Sequence, residues 1–170
     1  MESKKMFQDV LESRFSCRSF EPKKISLEEL NYILEMSRLA PTAKNKQPQR
    51  IVVVENEGLL ERLKEATPFT FDAKTVLVVS YDKDSCWIRK NDSKSYGEVD
   101  ATIAITHILL AATSIDIGSV FVGVFDEQKV KDILDLPQNY GVVGIVPLGY
   151  PKEIKPHNTR LDLEELVIYK

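Results

Sequence analysis

The run Arg14-Phe15-Ser16-Cys17-Arg18 carries two guanidinium groups four residues apart with a hydroxyl between them. It lies where a short helical pattern, Phe7, Val10 and Leu11, comes to an end. If that last turn stays helical, residues i and i+4 share a face and both arginines point one way. Paired N–H forks on one side match the oxygens of a phosphate or carboxylate. Cations at a helix end also complement its dipole, so a purely structural reading stays open beside the anion site. A second group of polar side chains follows in Ala40-Pro41-Thr42-Ala43-Lys44-Asn45-Lys46-Gln47-Pro48, and a third informative stretch runs from Ile117 to Asp126. There Gly118 and Gly123 let backbone approach something flat, because no Cβ intervenes.

The elements that must hold these stretches follow from periodicity. Ser26 and Glu29 form a capping box for a helix carrying Leu27, Leu30, Ile33 and Leu34, which stops before Pro41. Ile51–Val54 and Thr75–Ser80 read as buried strands with a helix over 57–66 between them. The polar stretch 82–96 reads as an irregular loop in which Trp87 is either a loop anchor or part of a site. Glu98 to about Asp116 predicts the longest helix, apolar on nearly all sides, with His107 as a core or interface histidine. Ile117–Phe125 predicts a strand, and Asp126 caps a helix over 127–134. Tyr140–Gly149 reads as a strand whose Pro147 marks an edge or a bulge. The apolar run after Leu161 predicts a fifth strand in need of a partner.

The length of 170 residues suits one domain, 1–170. With 23 basic and 26 acidic residues the net charge is −3, which disfavours nucleic-acid binding and makes any anion site local. Two distant cysteines and two histidines support neither a disulfide framework nor a metal site. No apolar run suits a bilayer, and residues 1–6 lack the apolar core of a signal peptide, so the expectation is a cytoplasmic protein with no membrane partner. Neither G-x-G-x-x-G nor a Walker loop is present, and no Ser/His/Asp or Cys/His constellation emerges.

Taken in order, these motifs resemble the nitroreductase family of FMN-dependent oxidoreductases. The family pattern is Arg-x-Ser-x-Arg, then Ala-Pro-Ser-x-x-Asn-x-Gln-Pro, for which this chain has Thr42 in place of Ser. Asp116-Ile117-Gly118 through Gly123-Val124-Phe125-Asp126 is similar to the family's glycine strand, and Leu148-Gly149-Tyr150-Pro151 to a common ending. The resemblance implies an α+β fold with a central mixed, largely antiparallel sheet flanked by helices, a homodimer, and FMN at the interface. It implies that Arg14, Arg18 and Arg160 hold the phosphate, that Phe15 and Ser16 lie along the cofactor, and that Asn45 addresses its polar side. Backbone at Val122 and Gly123 would face flavin N5; some members carry glutamate where Val122 stands. NADH or NADPH would donate hydride in a ping-pong reaction, with a nitroaromatic, quinone or similar small molecule as acceptor. A bound flavin carries such chemistry while the protein supplies position and electrostatics, so no catalytic side chain is required. The same resemblance leaves open enone reduction, dehalogenation, dehydrogenation or a non-enzymatic flavin protein, and the residues alone leave open an interaction domain without a cofactor.

Overall fold

A computed structural model describes residues 7–155 and 159–170; the helix start expected at Met6 lies outside them. Helix α1 (Phe7–Ser13) leads to α2 (Leu27–Arg38), then β1 (Gln49–Val54), α3 (Glu57–Leu63), β2 (Thr75–Asp82), α4 (Gly97–Ser114), β3 (Gly118–Ser119), α5 (Glu127–Leu134), β4 (Tyr140–Gly149) and α6 (Leu163–Leu166). The four strands form one antiparallel sheet in the order β1-β2-β4-β3. The only parallel pairing among the described residues is an isolated bridge between Ser16 and Ser119.

The sheet divides the core in two, which is why its strands read as unbroken apolar runs. On β2, Val76 and Val78 enter the cluster under α3 and α5, whereas Leu77 and Val79 enter the cluster under α2 and α4. A bulge shifts the β2–β4 register: Val79 faces Gly144 but Ser80 faces Val142, leaving Val143 as the extra residue. The insertion changes phase, so Val142 and Ile145 share one cluster while Val143 and Val146 share the other.

The bulge therefore falls at Val143, not at Pro147, and β4 is interior. Ile145 exchanges both backbone bonds with Val122, at 2.9 and 3.0 Å. In extended backbone, residue 147 turns its nitrogen to the same side as residue 145, away from β2. The missing donor of Pro147 thus falls where β4 has only fragmentary pairing, and the β2–β4 ladder loses nothing. The neighbouring strand expected over 117–125 is reduced to Gly118–Ser119 and the single Val122 bridge.

The fifth strand is also absent. Leu163–Leu166 makes one helical turn, with the Asp162 N–H bonded to Glu165 Oε2 at 3.2 Å, and every residue from 159 to 170 is exposed. A terminal strand needs an edge to pair with; the local cap stabilises a turn instead.

The capping box of α2 forms as its spacing predicts: Ser26 Oγ accepts the Glu29 N–H at 3.2 Å, and Glu29 Oε2 accepts the Ser26 N–H at 2.7 Å. The same carboxylate oxygen accepts the Tyr150 hydroxyl at 2.8 Å, tying α2 to the end of β4. Burial pushes the Glu29 carboxyl up, but the bonds from Ser26 and Tyr150 outweigh it and hold the group below the usual range. Its contribution is therefore present above the unfolded pKa and lost as pH falls through the depressed folded value. Glu29→Gln is expected to lower the unfolding free energy at neutral pH by less than about 1 kcal/mol, given solvent screening. Urea midpoints of the two proteins should draw together as the pH is lowered below the ordinary glutamate range.

Candidate functional site

The helix does not continue into the arginine motif. The last helical bond runs from the Arg14 N–H to Val10 O at 3.1 Å; two residues later Ser16 bridges Ser119, and the Cys17 N–H donates to Ser119 O at 3.0 Å. At the bridge the backbone alternates its side chains, so Ser16 and Arg18 turn from the buried Cys17, while Arg14 stands at the helix end; the two arginines do not share a helical turn. The opposite face explains the apolar residues between them. Cys17 is buried at 1% exposure, and Phe15, expected along the cofactor, is half-buried and packs against the core. Burial pushes the Cys17 thiol up, against smaller opposing effects from the Ser19 carbonyl and Lys155. A Cβ on Gly118 would stand 2.8 Å from Cys17 Sγ, so only glycine lets this segment dock on β3.

Docking places Arg18 at the mouth of a cavity of about 200 Å³ walled by Phe69, Phe71, Val120 and the backbone of 121–124. The Val122 N–H, expected to face a flavin, is committed to Ile145 O. Of the two amides expected there, the Gly123 N–H alone has no partner among the described residues, and a Cβ on Gly123 would meet nothing within 4 Å. Phe69 and Phe71, with centroids 6.0 Å apart, were not singled out by the sequence. Thr67 Oγ1 donates to Val124 O at 2.7 Å and the Asp126 N–H to Ala66 O at 2.9 Å, and these long-range bonds carry both rings to the cavity. A guanidinium, a free N–H and two aromatic walls suit a flat ring with acceptor atoms on its edge and an anionic group nearby.

Asn45 is elsewhere. It sits on a 3₁₀ turn, residues 43–45, whose Ala43 N–H donates to Asp100 Oδ1 near the start of α4. Lys44, Asn45 and Gln47 have φ of 55, 52 and 50°, a left-handed region that costs side-chain-bearing residues about 1 kcal/mol or more each. Ser119 lies beyond the other end of α4. Within one chain Asn45 does not line the cavity that Arg18 lines, and no hydrogen bond joins it to the arginine motif among the described residues. Arg160 lies in the exposed 159–170 segment, with Nη1 donating to Thr159 O at 3.3 Å, and does not line the cavity.

Beside α4 runs a second and larger hollow, an apolar groove of about 610 Å³ formed with α1 and α2. Phe7 and Leu39 stand in it 71% and 59% exposed, with Ile103, Leu110 and His107 along its floor. His107 Nδ1 lies 3.2 Å from Met36 O, a satisfied histidine on an uncovered surface. The groove explains why α4 is apolar on sides that its own sheet leaves uncovered. In the 82–96 loop, Trp87 packs edge-on against Tyr96 with centroids 4.9 Å apart, anchoring a small hairpin closed by an Ile88–Ser95 bridge. Among the described residues no cluster of His, Cys, Asp or Glu could hold a metal ion, and no helix is long and apolar enough to cross a membrane.

Comparison with known proteins places the fold. An Archaeoglobus fulgidus protein with the provisional description NADH dehydrogenase/NAD(P)H nitroreductase is 32% identical over 161 residues, covering 86% of each chain. The crystal structure of a nitroreductase family protein from Clostridium difficile 630 superposes with a TM-score of 0.92 at 32% identity, covering 98% of this chain and 99% of that one. A nitroreductase-type protein from Exiguobacterium sibiricum 255-15, solved in complex with FMN, shares the fold at a TM-score of 0.88 and 18% identity, with 99% of each chain covered. The Nitroreductase family model matches residues 11–68 and 64–150, so that the arginine motif, the Asn45 turn and the glycine segment all lie within it. The chain belongs to the nitroreductase family of oxidoreductases.

Proposed function

We propose that the protein binds FMN and passes hydride from NADH or NADPH to a small acceptor such as a nitroaromatic or a quinone, in two successive half-reactions. The observation that carries this reading is the docking of Ser16 on Ser119, which sets Arg18, two phenylalanine rings and the free Gly123 amide around one cavity. Those groups fit FMN: an apolar wall for the ring, an N–H for an acceptor atom on its edge, and cations for its phosphate. Bound there, FMN supplies the hydride relay.

The chain's residues do the rest. Arg14 and Arg18 neutralise the phosphate and Ser16 hydrogen-bonds beside it. Arg160, on the exposed C-terminal segment, adds a further cation when that segment closes over the site. The Gly123 N–H polarises the edge of the ring, and Phe69 and Phe71 exclude water from its face, which strengthens each polar contact. Asn45 completes the polar side from a second copy of the chain, because within one copy it does not line the cavity. The apolar groove beside α4 is the surface on which two copies pair.

A visible spectrum of the purified protein tests this directly. A flavin band is expected, bleaching anaerobically with NADH or NADPH and returning on addition of a nitroaromatic or quinone. A band that never bleaches would leave a flavin carrier, and no band after reconstitution with FMN would remove the cofactor itself.

A further inference from the structure

Asp100 is 1% exposed, and its position on α4 is otherwise lined by small or apolar residues: Ala101 and Ala104 beside it are fully buried. One carboxylate oxygen, Oδ1, accepts the Ala43 N–H at 2.9 Å; the other, Oδ2, is buried with no partner among the described residues. A residue that only filled space here would be alanine or leucine. A buried carboxylate is costly, and its retention points to the one group that it holds.

That group is the turn displaying Asn45. Inside the turn, the Asn45 N–H bonds Thr42 O at 3.0 Å, the Lys46 N–H bonds Ala43 O at 3.2 Å and the Gln47 N–H bonds Thr42 Oγ1 at 3.0 Å. These bonds close the turn on itself, and its far end is held to the sheet by Arg50 Nη1 on Gln47 O at 3.1 Å and by the Asp82 N–H on Pro48 O at 2.9 Å. The Ala43–Asp100 bond ties it to α4, and α4 is the helix whose other face forms the floor of the apolar groove. Three residues in left-handed backbone persist only where their surroundings fix them.

We propose that Asp100 is a positioning residue for the cofactor site: by gripping the Ala43 N–H it fixes Asn45 in the conformation with which one subunit addresses the flavin bound to the other. This rests on the flavin reading above, and on α4 carrying both the grip and the pairing surface.

The test is FMN affinity, followed by quenching of flavin fluorescence as protein is titrated into FMN, with unfolding midpoints measured alongside. Asp100→Ala is expected to weaken FMN binding by about 10-fold or more, the scale of one lost buried bond. Asp100→Asn keeps a carbonyl oxygen for the Ala43 N–H and should stay within about 3-fold of the parent protein. Ala43→Pro removes the same bond from the other side. Ala43 opens the 3₁₀ turn without a positive φ, and Thr42, at φ −132° and ψ 154°, already has the extended conformation that precedes proline. It should weaken FMN to the same degree as Asp100→Ala, and the double variant should be no worse than either alone, since both remove one interaction.

Parental affinity in folded Asp100→Ala, an Asp100→Asn variant as weak as the alanine one, or additive effects in the double variant would each overturn the assignment. Should Asp100→Ala fail to fold, Ala43→Pro, which leaves the core side chains unchanged, decides alone: parental affinity overturns the proposal. A parent protein that binds no FMN brings down the flavin reading and this inference with it. Unchanged Asp100 variants beside a flavin-binding parent bring down the inference only.

Discussion

Arg14→Ala/Arg18→Ala protein is expected to purify colourless and to fail to take up FMN at concentrations that saturate the parent. Each arginine offers a charge-assisted bond worth about 1.5–3 kcal/mol, so losing both should weaken FMN by roughly 10²- to 10⁴-fold. Arg18 is exposed and Arg14 is only partly covered at the end of α1, so the fold should survive. Arg62→Ala on α3, an exposed arginine outside the cavity, controls for general charge and should leave affinity unchanged. The readout is a flavin titration at fixed ionic strength, because contacts of this kind weaken with salt. A double variant that stays yellow would move the phosphate away from this strand and leave Arg18 as a cavity-mouth residue only.

Leu110→Glu is expected to convert the protein from dimer to monomer and to cost FMN affinity at a distance from the arginines. Leu110 lines the apolar groove and is only partly covered in one chain, so a glutamate there meets solvent and the monomer folds. In a paired groove the same carboxylate would be buried without a partner, at a cost of several kcal/mol, enough to abolish pairing at micromolar concentration. Sedimentation velocity reads the first effect and flavin titration the second. The two must move together if Asn45 reaches the flavin from a second copy. A monomer with parental FMN affinity would remove Asn45 from the site, and a parent protein that is itself monomeric would remove the groove as a pairing surface.

The sequence by itself determined the elements whose causes are local. Ser26 and Glu29 three residues apart make the α2 cap, Asp126 caps α5, and the apolar runs at 51–54 and 75–80 become strands, of which 75–80 is buried on both faces while 51–54, at the sheet edge, is only half-buried and leaves Val53 exposed. The order of Arg-x-Ser-x-Arg, the Asn45 turn and the glycine segment was enough to point to the family. It also singled out Arg18 and Gly123, which the fold sets around one cavity. Backbone state at the junctions was not legible. Arg14 to Arg18 fits a helical i,i+4 spacing and an extended period of two equally well, and the Ser16–Ser119 bridge, across about a hundred residues, excludes the first.

Tertiary structure alone decided what depends on such distant partners. It spent the Val122 amide on Ile145 and left Gly123 as the donor, and it brought Phe69 and Phe71 to the cavity through bonds from Thr67 and Asp126. It packed Phe15 against the core, left the terminal run exposed without a strand partner, and tied the Asn45 turn to the start of α4, outside the cavity that Arg18 lines. Hydrophobic pattern and capping act over a few residues and can be read from them. Which amide is free, which ring closes a wall and which residue must come from elsewhere depend on hydrogen bonds between segments far apart in the chain, and those are fixed only when the two faces of the sheet are covered.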